Sequence, residues 1–253
     1  VQVDLIPTRN DNYVFVIFEP NQPEVAIVDP SDFPPVEIYL QKHKKVVDTI
    51  FVTHHHPDHV GGIAELKAKY GCRVIAPSKE SHRIQNVDKW VEQGDEVFFM
   101  HNQAKVLETP GHTLGHNAYY FAQQKMLFSG DTLFSMGCGR LFEGTPKMML
   151  ETLNRLARLP EDSKVYCSHE YTLSNLKFAR DLEPQNKELE EFEQLCKKRR
   201  DLGHPTVPTT IGLEKKLNPF LRVHEAQVKQ AAGKPDGDLV DVFAEIRHRK
   251  DSF

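Results

Sequence analysis

The chain has 253 residues, a formal net charge of -4, 39% hydrophobic residues and 27% charged residues. This size can bury a core in one large domain or two smaller ones, and the composition suits an ordinary globular protein better than a disordered or membrane-embedded one. No stretch approaches the ~18 apolar residues of a membrane span, no signal-peptide pattern opens the sequence, and the acidic balance argues against a general nucleic-acid binder.

In chain order, Val1 to Leu5, Tyr13 to Phe18 and Val25 to Asp29 read as short strands separated by Asn, Asp and Pro turn signals. Pro34-Pro35 open a short helix. An apolar run (Val46, Val47, Ile50, Phe51, Val52) then reads as a buried strand that delivers Thr53-His54-His55-His56-Pro57-Asp58-His59-Val60-Gly61-Gly62. Successive side chains of a strand point to opposite faces, so His54 and His56, two apart, can reach the same side while His55 points away. Pro57 stops the ladder, so that Asp58 and His59 are presented as an adjacent pair. An amphipathic helix from Ile63 to Tyr70 ends at Gly71, and Arg73 to Ala76 is a further strand. This alternation predicts an α/β layered core.

Residues 78 to 95 carry no clear pattern. Glu96 to Met100 with Lys105 to Glu108, and Asn117 to Ala122 with Lys125 to Ser129, read as two hairpins. Thr109-Pro110-Gly111-His112 and Gly130-Asp131-Thr132 follow strand ends, where loops commonly gather ligands. A helix from about Pro146 to Leu159 and a strand from Lys164 to Cys167 lead to Ser168-His169-Glu170. Beyond Tyr171 the texture turns helical, with Leu173, Leu176, Phe178 and Leu182, then Leu189, Phe192, Leu195 and Cys196 at helical spacing. Further helices are expected near Glu225 to Ala231 and Leu239 to Lys250. A boundary near residue 174 would separate an α/β domain, residues 1–174, from a helical second domain, residues 175–253.

Imidazole and carboxylate are ligands that zinc, iron and manganese accept, and an internal cluster interleaved with Asp, Pro and Gly is unlike a terminal tag. His112, Asp131 and His169 each follow an apolar strand pattern and are candidate partners of the cluster. Five histidines and two aspartates result, too many for one four-coordinate ion; two ions sharing a carboxylate would use them all. His116, four residues after His112, reads as a supporting residue, and His55 as structural. The four cysteines, Cys72, Cys138, Cys167 and Cys196, form no C-x-x-C pair and suggest reduced thiols in a cytosol-like compartment. Cys138, between two glycines with no adjacent base, reads as a small buried residue.

The run His54-x-His56-x-Asp58-His59 resembles the H-x-H-x-D-H signature of the metallo-β-lactamase superfamily. Downstream, Gly130-Asp131-Thr132-Leu133-Phe134, Gly137-Cys138-Gly139-Arg140-Leu141-Phe142-Glu143-Gly144-Thr145 and His169-Glu170-Tyr171-Thr172 resemble the hydroxyacylglutathione hydrolase (glyoxalase II) family. So do Asn175-Leu176-Lys177-Phe178-Ala179, Asn218-Pro219-Phe220-Leu221-Arg222 and the ending Arg247-x-x-Lys250-Asp251-x-Phe253. The resemblance implies an αββα sandwich followed by a smaller all-helical C-terminal domain. It implies two divalent ions, zinc first with iron or manganese also accepted. One would be held by His54, His56, His112 and Asp131, the other by Asp58, His59, His169 and the bridging Asp131. With Asp58 and Asp131 at the reacting centre, a hydroxide between the ions would attack the thioester of S-D-lactoylglutathione, giving D-lactate and glutathione. Arg140, Tyr171, Arg247 and Lys250 would bind the glutathione moiety, no organic cofactor is implied, and a cytoplasmic monomer acting in methylglyoxal detoxification is expected. Phe142 stands where many members carry Tyr, and Arg140 where many carry Lys. The competing readings are a glutathione persulfide dioxygenase, a non-catalytic metal- or glutathione-binding module, and a β-lactamase. The Arg-x-x-Lys ending speaks against the first and third, and the intact ligand set against the second.

Overall fold

Helix α1 (Phe33–His43) starts on the two prolines, whose missing N–H groups cost nothing in a first turn, and closes on Lys44 in the left-handed region (φ 52°). It belongs to a computed structural model that describes residues 1–253 and divides into two units. One comprises Val1–Thr109 and Leu114–Gly130, the other Pro110–Thr113 and Asp131–Phe253. No helix is long and apolar enough to cross a membrane.

The first unit opens with strands β1 (Gln2–Thr8), β2 (Asn12–Phe18) and β3 (Glu24–Val28), paired antiparallel in succession. Strands β4 (Val46–Phe51), β5 (Arg73–Pro77) and β6 (Lys89–Val91) then add in parallel. Parallel neighbours need crossovers, supplied by α1 between β3 and β4 and by the short α2 (Pro57–Val60) with α3 (Ile63–Tyr70) between β4 and β5. Strands β7 (Glu96–Phe99), β8 (Asn102–Glu108), β9 (Asn117–Phe121) and β10 (Met126–Gly130) make an antiparallel meander.

The first sheet is buried on both faces, which is why its strands read as apolar runs rather than as alternation. Val14, Val16, Val25, Ile27, Ile50 and Val74 meet Val36 and Leu40 of α1 and Ile63 and Leu66 of α3. On the opposite face, Phe15 meets Phe128 edge-on (5.6 Å), and Phe51 meets Tyr119 (5.1 Å) and Phe121 (6.1 Å). Each such fully buried side chain contributes about 1.5–3 kcal/mol of transfer free energy.

The second unit begins with the small hairpin β11 (Leu133–Phe134) and β12 (Gly137–Cys138), followed by α4 (Pro146–Leu156), β13 (Lys164–Cys167), α5 (Thr172–Leu182) and α6 (Lys187–Asp201). Then come β14 (Thr209–Thr210), which pairs with β13, and α7 (Ile211–Leu217), α8 (Ala226–Ala231) and α9 (Leu239–Ser252). Thr145, Asn186, Thr210 and Asp238 cap α4, α6, α7 and α9 by accepting a backbone N–H. Leu176, Ala179, Leu189, Cys196 and Leu217 pack α5, α6 and α7 together. Phe178, Phe220, Phe243 and Phe253 form an aromatic cluster that reaches the C-terminus.

The β11–β12 turn is irregular: Met136 takes φ 59°, a left-handed conformation disfavoured for a side chain of this size. Three side chains of the helical segment hold it. Glu214 accepts from Met136 N (2.8 Å) and from Thr209 Oγ1 (2.7 Å). Asn218 Nδ2 donates to Gly137 O (3.0 Å) and Glu214 Oε2 (2.8 Å), and Asn175 Nδ2 donates to Ser135 O (3.0 Å).

The short strands β11, β12, β14 and helix α7 lie where no periodicity predicted an element. Four or fewer residues leave no pattern to read, and Ile211–Leu217 is a seven-residue helix inside a Pro- and Gly-containing stretch.

Candidate metal centre

Each unit carries part of the predicted ligand set. In the first unit, β4 ends at Phe51, so the histidines lie on an extended segment beyond the strand rather than on its last residues. The backbone there changes partners. Val52 N donates to Ile75 O (2.9 Å), Asn117 N donates to Thr53 O (2.9 Å), and Tyr119 Oη donates to Val52 O (2.7 Å). Pro57 starts the one-turn helix α2, and its first turn presents Asp58 and His59.

The organiser of this half is Asp29, which sequence reasoning placed in a strand without a role. It sits just past the end of β3 at φ 51° and is only 2% exposed. Its carboxylate accepts from Thr53 N (2.8 Å) and Thr53 Oγ1 (2.7 Å), and pairs with His59 Nδ1 (2.9 Å). With its hydroxyl proton given to Asp29, Thr53 Oγ1 accepts from His54 Nδ1 (3.0 Å). Both rings thereby carry their proton on Nδ1 and keep the Nε2 lone pair for a ligand, the outer-shell arrangement that fixes metal-binding histidines. His54 Nε2 lies 2.9 Å from His56 Nδ1, and His59 Nε2 lies 3.6 Å from Asp58 Oδ2. Asn12 Nδ2 donates to Asp58 Oδ2 (2.9 Å), a second supporting contact that the sequence did not disclose.

His116 is buried, bonds Thr109 Oγ1 through Nδ1 (2.6 Å) and lies 4.9 Å from the His54 ring, consistent with a supporting role. His55 turns to Glu80 and to Arg83 Nη1 (3.0 Å). His43, His82, His101, His204, His224 and His248 are exposed.

In the second unit, His112 Nδ1 donates to Arg140 O (2.8 Å), which again leaves Nε2 as the ligand atom; it faces Asp131 Oδ2 at 3.4 Å. His169 Nε2 approaches the same oxygen at 3.3 Å. The His169 ring stacks on a parallel Tyr171 (4.7 Å, 4°), and Phe134 stands edge-on to both rings (5.9 and 5.3 Å). Gly139 is obligatory here, since a Cβ at that position would lie 1.9 Å from Asp131 O.

A metal fits this donor chemistry. Four ligands about 2.0–2.1 Å from zinc define a tetrahedron with edges of about 3.3 Å. The His112–Asp131 and His169–Asp131 separations of 3.4 and 3.3 Å match that edge, and a single Asp131 oxygen serves both histidines. His and Asp groups suited to holding a metal ion are thus present.

The predicted glutathione-binding residues lie in the second unit. Arg140 is exposed, and its Nε donates to Asp251 Oδ1 (3.1 Å). Arg247 is only 6% exposed: it donates to Cys138 O (2.8 Å) and Asp251 Oδ1 (3.1 Å) and lies over the Phe220 ring (5.1 Å). Lys250 donates to Ser174 Oγ (3.2 Å), with the rings of Phe178 and Phe253 at 5.8 and 5.7 Å. Burial holds its ammonium below the ordinary lysine range, with repulsion from Arg247 and Lys177 adding to the effect and Asp251 opposing it. Phe142 is exposed and meets His112 edge-on at 5.2 Å.

Residues 8–169 match the metallo-beta-lactamase superfamily, and residues 170–253 match the hydroxyacylglutathione hydrolase C-terminus. The chain is 47% identical to the hydroxyacylglutathione hydrolase of Rhodopseudomonas palustris (strain HaA2), over 99% of this chain and 98% of that one. The chain belongs to the hydroxyacylglutathione hydrolase family. A second member, from Pseudomonas entomophila (strain L48), is 47% identical with both chains fully covered. The fold is that of the family, a metallo-β-lactamase two-sheet sandwich followed by a helical C-terminal region. Among solved structures, that of ETHE1 from Myxococcus xanthus shares the fold, with a TM-score of 0.70 at 20% identity over 98% of this chain and 90% of that one.

Proposed function

We propose that this family member hydrolyses S-(2-hydroxyacyl)glutathione, with S-D-lactoylglutathione as the reference substrate, to a 2-hydroxy acid and glutathione. The observation that carries this reading is the 47% identity to a hydroxyacylglutathione hydrolase over nearly the whole of both chains. Two divalent ions, zinc or alternatively iron or manganese, would together lower the pKa of a water molecule and polarise the thioester carbonyl. His54, His56, His112 and Asp131 are assigned to one ion, and Asp58, His59 and His169, sharing Asp131, to the other. Asp29, Thr53 and the Arg140 carbonyl keep His59, His54 and His112 in the ligating tautomer. Asn12 steadies Asp58, which with Asp131 brings negative charge to the reacting centre.

Arg140, Tyr171, Arg247 and Lys250 are assigned to the glutathione moiety. Guanidinium and ammonium groups match its two carboxylates. Residues 1–174 would carry the chemistry and residues 175–253 the substrate grip. The same reading has the protein acting as a cytoplasmic monomer in methylglyoxal detoxification, with no nucleic-acid or membrane partner. A net charge of -4 supports the exclusion of nucleic acid.

The test is the loss of thioester absorbance of S-D-lactoylglutathione with metal-analysed protein. Rapid hydrolysis at close to two metals per chain, and loss of both metal and activity in Asp131→Asn, are expected. No hydrolysis at full occupancy would sink the reading and turn attention to oxygen uptake with glutathione persulfide.

A further inference from the structure

Asp251 stands among the cations assigned above to the glutathione carboxylates. One of its oxygens, Oδ1, accepts from Arg247 Nη2 and from Arg140 Nε, both at 3.1 Å. Arg140 Nη2 also donates to the Asp251 main-chain carbonyl (3.4 Å). Arg247 lies one helical turn earlier on α9, so that pair alone would be an ordinary i,i+4 contact. Arg140, however, comes from the loop after β12, and its side chain is 54% exposed with solvent available to it. Two guanidinium groups converging on one carboxylate oxygen is the arrangement an incoming substrate carboxylate would also need.

The charges around this point do not cancel. Arg140, Arg247 and Lys250 oppose a single carboxylate; burial first, and then repulsion from Arg247, lowers the affinity of Lys250 for its proton even with Asp251 opposing.

We propose that Asp251 is a built-in competitor for the substrate's carboxylate, which sets how tightly the protein grips its anionic substrate and the released glutathione. In the free protein it satisfies Arg140 and Arg247. When a ligand carboxylate arrives, Asp251 gives up part of that pairing and repels the newcomer at short range. It thereby weakens binding and hastens release. The proposal rests on the glutathione-binding assignment of Arg140, Arg247 and Lys250.

The experiment compares the metal-loaded wild type with Asp251→Asn, which keeps the shape and removes the charge. KM for S-D-lactoylglutathione and the inhibition constant of glutathione should both fall about three- to fivefold at low salt, the worth of one partly exposed charge pair. The effect should shrink as ionic strength rises, and should drop below about twofold in an Arg140→Gln background, where half of the pairing is already gone. Unchanged or raised values in Asp251→Asn would overturn the proposal and make Asp251 an ordinary structural residue. Arg140→Gln and Lys250→Gln separate the two layers. If neither raises KM, the glutathione-binding assignment itself fails. If they raise KM while Asp251→Asn does not lower it, only the competition fails.

Discussion

Replacing Glu214 by Gln tests the physics of the buttress behind the β11–β12 turn. Glu214 is fully buried and no cation pairs with it. It relies on neutral donors: Thr209 Oγ1, Met136 N and Asn218 Nδ2. Burial pushes its carboxyl up from 4.5 to about 7, and those donors only partly oppose the shift. The folded state therefore holds a proton over a range in which the unfolded chain has released it, and stability falls as pH rises from 4.5 to about 7. At 1.36 kcal/mol per pH unit, the window costs the wild type on the order of 3 kcal/mol. The glutamine variant has no such titration, while all other groups titrate equally in both proteins. Urea unfolding followed by circular dichroism, at fixed metal content, should therefore show the wild type losing about 2.5 kcal/mol relative to Glu214→Gln between pH 5 and pH 8, the first part of the window lying below pH 5. A stability difference that stays constant over that range would refute the argument. It would mean that the donors, not burial, govern this carboxyl.

Asp29→Asn keeps the shape of the His59 support but sets an amide against the Thr53 and His59 donors. Metal affinity should fall about 10- to 100-fold in a chelator competition, and unchanged affinity would remove Asp29 from the support of the centre. Phe142→Tyr adds a hydroxyl to an exposed ring beside Arg140 and His112. KM for the glutathione thioester should fall by about three- to tenfold, the worth of one partly solvated hydrogen bond to a carboxylate; an unchanged KM would dissociate this ring from the substrate.

What the sequence disclosed depended on how far each signal reached along the chain. Ile63 to Tyr70 and Lys164 to Cys167 were legible to the residue, because a glycine stop and a compact β-branched and aromatic run mark them locally. The metal-binding motif was equally plain, since five closely spaced donors have few other uses. Asp29, Thr53 and Asn12 were not, because their meaning lies in contacts 24 to 46 residues distant and a lone Asp after a strand looks like any turn residue. Asn175 and Asn218 were visible as family motifs, but only the structure gives them work, as donors to the carbonyls of an otherwise unsatisfied turn. Glu214 carried no signal at all, for an acid among Gly212, Leu213, Lys215 and Lys216 reads as a solvated helix face.

The four cysteines bear on how such a protein would live with its own product. All are buried and unpaired, and burial pushes the thiols of Cys72 and Cys138 to about 11 and those of Cys167 and Cys196 to about 12. Thiol exchange requires an accessible thiolate. A hydrolase that discharges glutathione at every turnover, in the presence of its oxidised form, then offers that pool nothing to capture. Mixed disulfides find no accessible thiolate in this fold.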